Sequence, residues 1–287
     1  MLNYLLLFID QFIAASTPVV AKSLAATIDP TLSLLLRGMV SALVYAIIIL
    51  VLRKKIPHIS PKDWWTFLLL GILCIPMNQL LFFVACKYTS APNVALAYAM
   101  IPAFVLVMEI VFLKVKASKL KIFGIAVAVI GAIVIFSEGG IDLGSEKFWG
   151  NVLAILAAMS WAVYTVVGKK TVAKFGPFVT TGMAILFGFA VFCIIFSFIG
   201  DFSTAPAVDA WAWSKIVYLA VGLSVIGYSL WAFVLKRLDA SKVAVFTNLQ
   251  PIITPILSAI FLSFVFTPQF VIGSVVIIAG VIFTQKG

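Results

Sequence analysis

The chain has 287 residues, of which 64% are apolar and only 10% charged, with a formal net charge of +10. Soluble domains sit nearer half apolar with about a quarter of residues charged, and a globule of this length has too little interior to hide so much apolar surface from water. Those figures exclude a disordered chain, a secreted disulfide scaffold and a two-domain cytosolic enzyme. They fit an all-α membrane protein, since ten helices of ~20 residues would absorb most of the chain.

Apolar runs follow one another at residues 4–22, 31–52, 63–86, 90–113 and 119–136, then at 150–168, 177–199, 213–235, 240–266 and 268–285. Each is long enough to cross a hydrocarbon core of ~30 Å with some tilt. The breaks carry turn chemistry: Asp29-Pro30, Ser60-Pro61, Gly139-Gly140, Gly176-Pro177 and Thr267-Pro268. The first run holds Asp10 and Gln11 and has no basic residue before it, so it reads as a first span and not as a signal peptide. Cys74, Cys86 and Cys193 fall inside apolar runs and read as small core residues, with no metal or disulfide role.

With the amino terminus placed in the cytoplasm, fifteen basic residues fall in inner loops and the tail, and four (Lys22, Lys87, Lys147, Lys215) in outer connections. Such a bias is the positive-inside pattern of a cytoplasmic membrane protein with both termini inside. It locates the +10 charge at a lipid bilayer and argues against a nucleic-acid partner. Trp64, Trp65, Trp149, Trp211 and Trp213 lie at span ends and read as an interfacial belt.

An internal repeat divides the chain. Residues 87–133 align without a gap to 236–282, with eleven of 47 positions identical, among them Pro102/Pro251, Gly124/Gly273 and Gly131/Gly280. Matched prolines and glycines carry backbone meaning that shared apolarity does not. The expected organisation is two five-helix repeats, 1–137 and 148–287. Five being odd, the second enters the membrane inverted, as in many secondary transporters. Gly124/Gly131 and Gly273/Gly280 read as sites of close helix packing.

The segment Gly150-Asn151-x-Leu153-Ala154-x-x-Ala157-Ala158-x-x-Trp161-Ala162-x-Tyr164-x-Val166, followed by Lys169-Lys170, resembles the opening of the second repeat in the drug/metabolite transporter superfamily, EamA type. The paired Ala-x-x-Val-Ala-x6-Pro segments at 91–102 and 240–251, the ten spans and Arg37 near the start of span two are similar to that family as well. Where its members often carry a Gly-Glu-Arg-like turn, this chain has Lys114-Val115-Lys116 and Ser263-Phe264-Val265. The resemblance implies efflux of amino acids or related metabolites.

Charges inside a bilayer are costly and mark functional candidates. Three are present: Asp10, Arg37 and Glu109. Asp10 lies ~9 Å and Glu109 ~6 Å from the inner end of their spans at 1.5 Å per residue. The two carboxylates suit proton coupling if they share a level. For Glu109 the alternative is a side chain that snorkels to the inner surface. Arg37 suits a substrate carboxylate or phosphate, or alternatively the carbonyls at a helix end. Polar and aromatic stripes at helical spacing add Thr17 in span one, Asn78 and Gln79 in span three and Tyr98 in span four. Further members are Trp161 and Tyr164 in span six, Tyr228 and Trp231 in span eight, and Thr247 and Gln250 in span nine. Amides cannot face lipid unpartnered, so these residues should face a shared cavity or one another. Pro102 and Pro251 occupy equivalent mid-span positions and would bend both helices at one level, as a pair of gates.

No Gly-x4-Gly-Lys-[Ser/Thr] run, Gly-x-Ser-x-Gly or His-Glu-x-x-His is present, and the sole histidine, His58, lies in a basic loop. The reading is therefore a monomeric secondary transporter of a small-molecule substrate, driven by protons or exchange and without a cofactor. A channel or passive facilitator is the alternative, with an intramembrane enzyme further behind.

Overall fold

The computed structural model describes residues 2–113, 118–136 and 143–286, and every regular element among them is a helix. Ten helical rods follow in order. The first five are α1 (Leu2–Ala25), α2 (Pro30–Leu52), α3 (Pro61–Tyr88), α4 (91–113) and α5 (Lys119–Phe136). The second five are α6 (Glu146–Phe175), α7 (Pro177–Ile199), α8 (Ala210–Leu235), α9 (Ala240–Leu262) and α10 (Pro268–Lys286). Helices α1 to α4 and α6 to α9 are each long and apolar enough to cross a membrane, and α10 contains a shorter apolar helix, Pro268–Phe283.

The turn signals set the boundaries. Proline opens α2, α3, α7 and α10, where its missing N–H has no helical partner to lose. Asp29 caps α2 by accepting from the Thr31 N–H at 2.8 Å, and Asp63 reaches back to the Ser60 N–H at 2.8 Å. Helix α6 stops at Gly176, whose φ of +80° suits a residue without a Cβ. The Gly139-Gly140 turn lies outside the described residues.

Polarity runs inside out relative to a soluble protein. Leu43, Ile47 and Val51 of α2, Ile194 and Phe198 of α7, and Ile260 and Phe261 of α9 are exposed, while Thr17, Asn78, Gln79, Thr247, Gln250 and Thr254 are buried. A bilayer dictates that arrangement, because lipid accepts methyl groups and strands amides. Cys74 and Cys86 are buried as expected, but Cys193 is exposed. Helix α7 is largely apolar, and its polar Thr180 and Thr181 lie on the buried face. The five span-end tryptophans are all exposed.

The packing crosses between the halves. Helix α1 packs on α8 and α9, as α6 packs on α3 and α4, while α2 pairs with α7 and α5 with α10. The α5–α10 contact uses the repeated glycines. A Cβ on Gly131 would lie 2.7 Å from the Ile277 backbone nitrogen and 2.9 Å from the Gly273 carbonyl oxygen, and one on Gly280 would meet the Ala128 and Gly124 backbones. Glycine here lets two backbones touch.

Two kinds of helix irregularity recur at corresponding places. Helix α3 carries a π-helical segment at Ile75–Leu80 and α8 one at Tyr218–Gly227. Helix α4 breaks at Met100, two residues before Pro102. Helix α9 tightens to a 3-10 form over Val245–Leu249, just before Pro251. Each proline lacks the N–H that would bond the carbonyl four residues back, at Tyr98 and at Thr247.

Candidate functional site

Seven helices converge on one cavity of about 50 Å³ at the centre of the bundle. At ~10–15 Å³ per water-sized site, that is room for a few waters. Asp10 and Thr17 reach it from α1, Arg37 from α2, Asn78 and Gln79 from α3 and Tyr98 from α4. Trp161 comes from α6, Tyr228 and Trp231 from α8, and Thr247 and Gln250 from α9. The stripes read from the sequence thus meet at a single place, with contributions from both halves of the chain.

Arg37 is 1% exposed and has no carboxylate within ion-pair distance among the described residues. Its Nε and Nη2 donate to Ser224 Oγ at 3.1 and 2.9 Å, Nη2 also donates to the Tyr228 hydroxyl at 3.4 Å, and the guanidinium lies 5.6 Å from the Phe83 ring centre. Arg37 thus bonds side-chain hydroxyls and not the carbonyls at a helix end offered above as its alternative partner, and the nearby carbonyls inside α8 are met by Tyr45. The Tyr45 hydroxyl lies 3.0 and 3.2 Å from the Ser224 and Val225 carbonyl oxygens and 2.9 Å from Ser229 Oγ. These carbonyls belong to the π segment of α8, whose wider winding turns backbone groups out of the regular ladder.

Asp10 is 3% exposed and accepts from Gln11 Nε2 at 2.8 Å, while Gln11 Oε1 accepts from Gln250 Nε2 at 2.9 Å. A relay therefore runs from α9 through Gln11 to the carboxylate. Asp10 also faces the π segment, since a Cβ on Gly227 would lie 3.2 Å from its Oδ1. Asn78 Nδ2 donates to the Tyr98 hydroxyl at 2.7 Å and to the Ala157 carbonyl at 2.8 Å. Gln79 Nε2 points to Cys74 Sγ at 3.6 Å. Thr17 and Thr247 donate to carbonyls of their own helices, at Ile13 and Ala244, and keep their oxygen lone pairs for the cavity.

An aromatic wall closes one side. The Trp161 ring centre lies 4.6 Å from that of Tyr228 and 5.9 Å from that of Trp231, and Phe82 meets Tyr98 edge-on at 5.9 Å. Trp231 Nε1 is a buried donor with no hydrogen-bond partner among the described residues. Tyr164, expected to line the path, does not: it stacks on Trp161 at 4.9 Å and 16° and sits behind it. Three residues on from Trp161, it is covered by the larger ring. Pro102 and Pro251 set the helix breaks beside the cavity without lining it. Glu109 falls in α4, and its side chain lies outside the described residues.

Sequence reasoning missed Gln11, Phe82 and Tyr45 as members of this region. It also missed a cluster at one end of the bundle in which the Thr89 hydroxyl and Asn93 Nδ2 donate to Asn151 Oδ1, at 2.5 and 3.2 Å. At the opposite end, Lys169 Nζ donates to Asp239 Oδ1 at 2.9 Å and to the Leu238 carbonyl at 3.1 Å. The Lys169 hydrogen bond, with Lys242 nearby, holds the Asp239 carboxyl below the usual carboxylate range.

A ten-rod bundle with a polar centre and an apolar surface defines a multi-pass membrane protein. The chain belongs to the EamA-like transporter family, which matches it twice, over residues 1–137 and 148–285. It is 28% identical over 281 residues to the uncharacterized transporter YyaM of Bacillus subtilis, covering 97% of this chain and 92% of that one. An uncharacterized transporter of Archaeoglobus fulgidus is 29% identical over 235 residues, covering 81% and 80%. One solved crystal structure superposes with a TM-score of 0.71 over 99% of this chain and 96% of its own, at 19% identity, a likeness of fold alone.

Proposed function

We propose that this EamA-type transporter is a monomeric secondary exporter of small polar or amphipathic metabolites such as amino acids. In this reading it lies in the cytoplasmic membrane with both termini inside. The observation that carries the proposal is the pairing of Arg37 and Asp10 on one cavity, with no ion pair to either among the described residues. A cation and an anion held apart in an apolar setting complement a zwitterion, because each charge is costly there until the opposite charge of a ligand meets it. The aromatic wall supplies the apolar contact that small-molecule sites use.

A cavity of about 50 Å³ is far smaller than the ~300–1,000 Å³ of ligand pockets in general. Loading a substrate therefore requires the two halves to part. Contacts between the halves supply what must break: the Thr254 hydroxyl bond to the Ala15 carbonyl (2.6 Å), and the Lys174–Asp63 pair (2.7 Å). Rocking of one half against the other, with bending at the Pro102 and Pro251 breaks, opens one side at a time. Protons or a counter-substrate drive the cycle, with Asp10 as the coupling carboxylate and Glu109 as its proposed companion.

The test is uptake of labelled amino acids into proteoliposomes. The expected result is saturable flux stimulated by unlabelled substrate on the far side. Arg37→Gln removes a charged donor worth about 1.5–3 kcal/mol, so apparent affinity should fall roughly 10–100-fold. Flux that rises linearly with concentration and ignores far-side substrate overturns the carrier reading in favour of a channel.

A further inference from the structure

A second cavity, of about 510 Å³, lies between α3, α4 and α6 at the end of the bundle that the basic-residue bias assigns to the cytoplasm. Its rim and its wall differ in chemistry. Lys62, Lys170 and Lys174 ring the opening, and Val163, Val166 and Val167 line the depth. On α6 these residues follow steps of three and four, so one helix face carries both the apolar wall and the basic rim. The one acid at the rim, Asp63, is taken up by Lys174 at 2.7 Å. Lys62 and Lys170 have no ion pair among the described residues.

The depth also has a scale. From Lys174 to Val163 is eleven residues, ~16 Å of helix, which matches half of a ~30 Å hydrocarbon core. A soluble anion would use the rim and leave the wall idle. A phospholipid uses both, and basic pockets between transmembrane helices on the cytoplasmic side suit anionic headgroups.

We propose that this groove seats one anionic phospholipid of the inner leaflet, its phosphate at Lys62 and Lys170 and the upper part of an acyl chain against Val163, Val166 and Val167. The occupant lies against the same α4 and α6 that line the central cavity, so it braces that wall from outside.

The test uses the full-length purified chain in nanodiscs of phosphatidylcholine, with and without phosphatidylglycerol, and in detergent with inorganic phosphate. Phosphatidylglycerol should raise the melting midpoint by about 4 °C, and inorganic phosphate should not. Lys62→Gln with Lys170→Gln should lose that shift, whereas Lys54→Gln, a basic change outside the groove, should keep it. Val166→Phe, which fills the wall and leaves the charges, should lose it too. The proposal is overturned if the double lysine variant or Val166→Phe retains the full shift, if inorganic phosphate reproduces it, or if phosphatidylcholine alone gives the same midpoint.

Discussion

Replacing Gly131 by Ala tests whether the α5–α10 seam is a backbone contact. The added Cβ would sit 2.7 Å from the Ile277 nitrogen, 2.8 Å from Ile277 Cγ1 and 2.9 Å from the Gly273 oxygen. Two of the three are backbone atoms, which cannot rotate away. The helices would have to part by about 0.7 Å to restore an ordinary 3.4 Å contact, and overpacking of that kind costs about 1–3 kcal/mol. For a chain of this size the melting midpoint should fall by roughly 2–12 °C. Gly168→Ala is the internal control, because its Cβ would meet only Leu70 Cδ2, at 3.6 Å. There the helix gains about 0.5–1 kcal/mol from the lost backbone freedom of glycine, and the midpoint should hold or rise. Thermal unfolding of the two purified variants in one detergent reads both signs. A Gly131→Ala midpoint equal to wild type, or a Gly168→Ala loss as large, refutes the contact geometry as the source of the seam's stability.

Three further outcomes are expected. Asp10→Asn should abolish uptake driven by a pH gradient while leaving counterflow exchange, and retained gradient-driven uptake removes Asp10 from coupling. Pro102→Ala combined with Pro251→Ala should slow transport roughly tenfold, about 1.4 kcal/mol of barrier, and change binding less; equal flux discards the paired-hinge idea. Tyr45→Phe leaves two π-segment carbonyls and Ser229 without their shared partner, which should cost about 1–3 kcal/mol. That loss is read as a lower unfolding midpoint, and none is expected if water serves the segment instead.

Much of the bundle was legible because a membrane simplifies the problem. Apolar runs give rods, prolines and glycines give ends, and every buried amide has to point inward. Asn78 and Gln250 could be assigned to a shared interior on that ground alone. Gln11 escaped because helical spacing selects one face, whereas α1 runs through the centre and buries several. Asp10 and Gln11 lie 100° apart and both are inside. Tyr45 escaped for a different reason. It sits in the middle of the apolar α2, and only the π winding of α8, which no period in the sequence announces, creates the carbonyls it serves. A buried tyrosine nevertheless asks for a hydroxyl partner, and that was a usable signal. Cys193 shows the converse failure: its apolar surroundings suggested the core, whereas the buried Thr180 and Thr181 put the interior on another side of α7.

The partners of Arg37 raise a question of timing during synthesis. Ser224 follows it by 187 residues, which at ~5–20 residues per second is about 10–40 s on the ribosome. Throughout that interval a guanidinium destined for the centre of the bundle has no native neighbour from α8. Helix α1 likewise awaits α9, since the hydroxyl of Thr254 reaches the Ala15 carbonyl only once residue 254 has emerged. The first five helices are thus a nascent intermediate carrying exposed polar groups, dependent on the insertion machinery or on interfacial water until the second five arrive. Truncation after residue 137 would leave that intermediate stranded as a substrate for membrane proteases, and co-expression of residues 148–287 as a separate chain would be the way to rescue it.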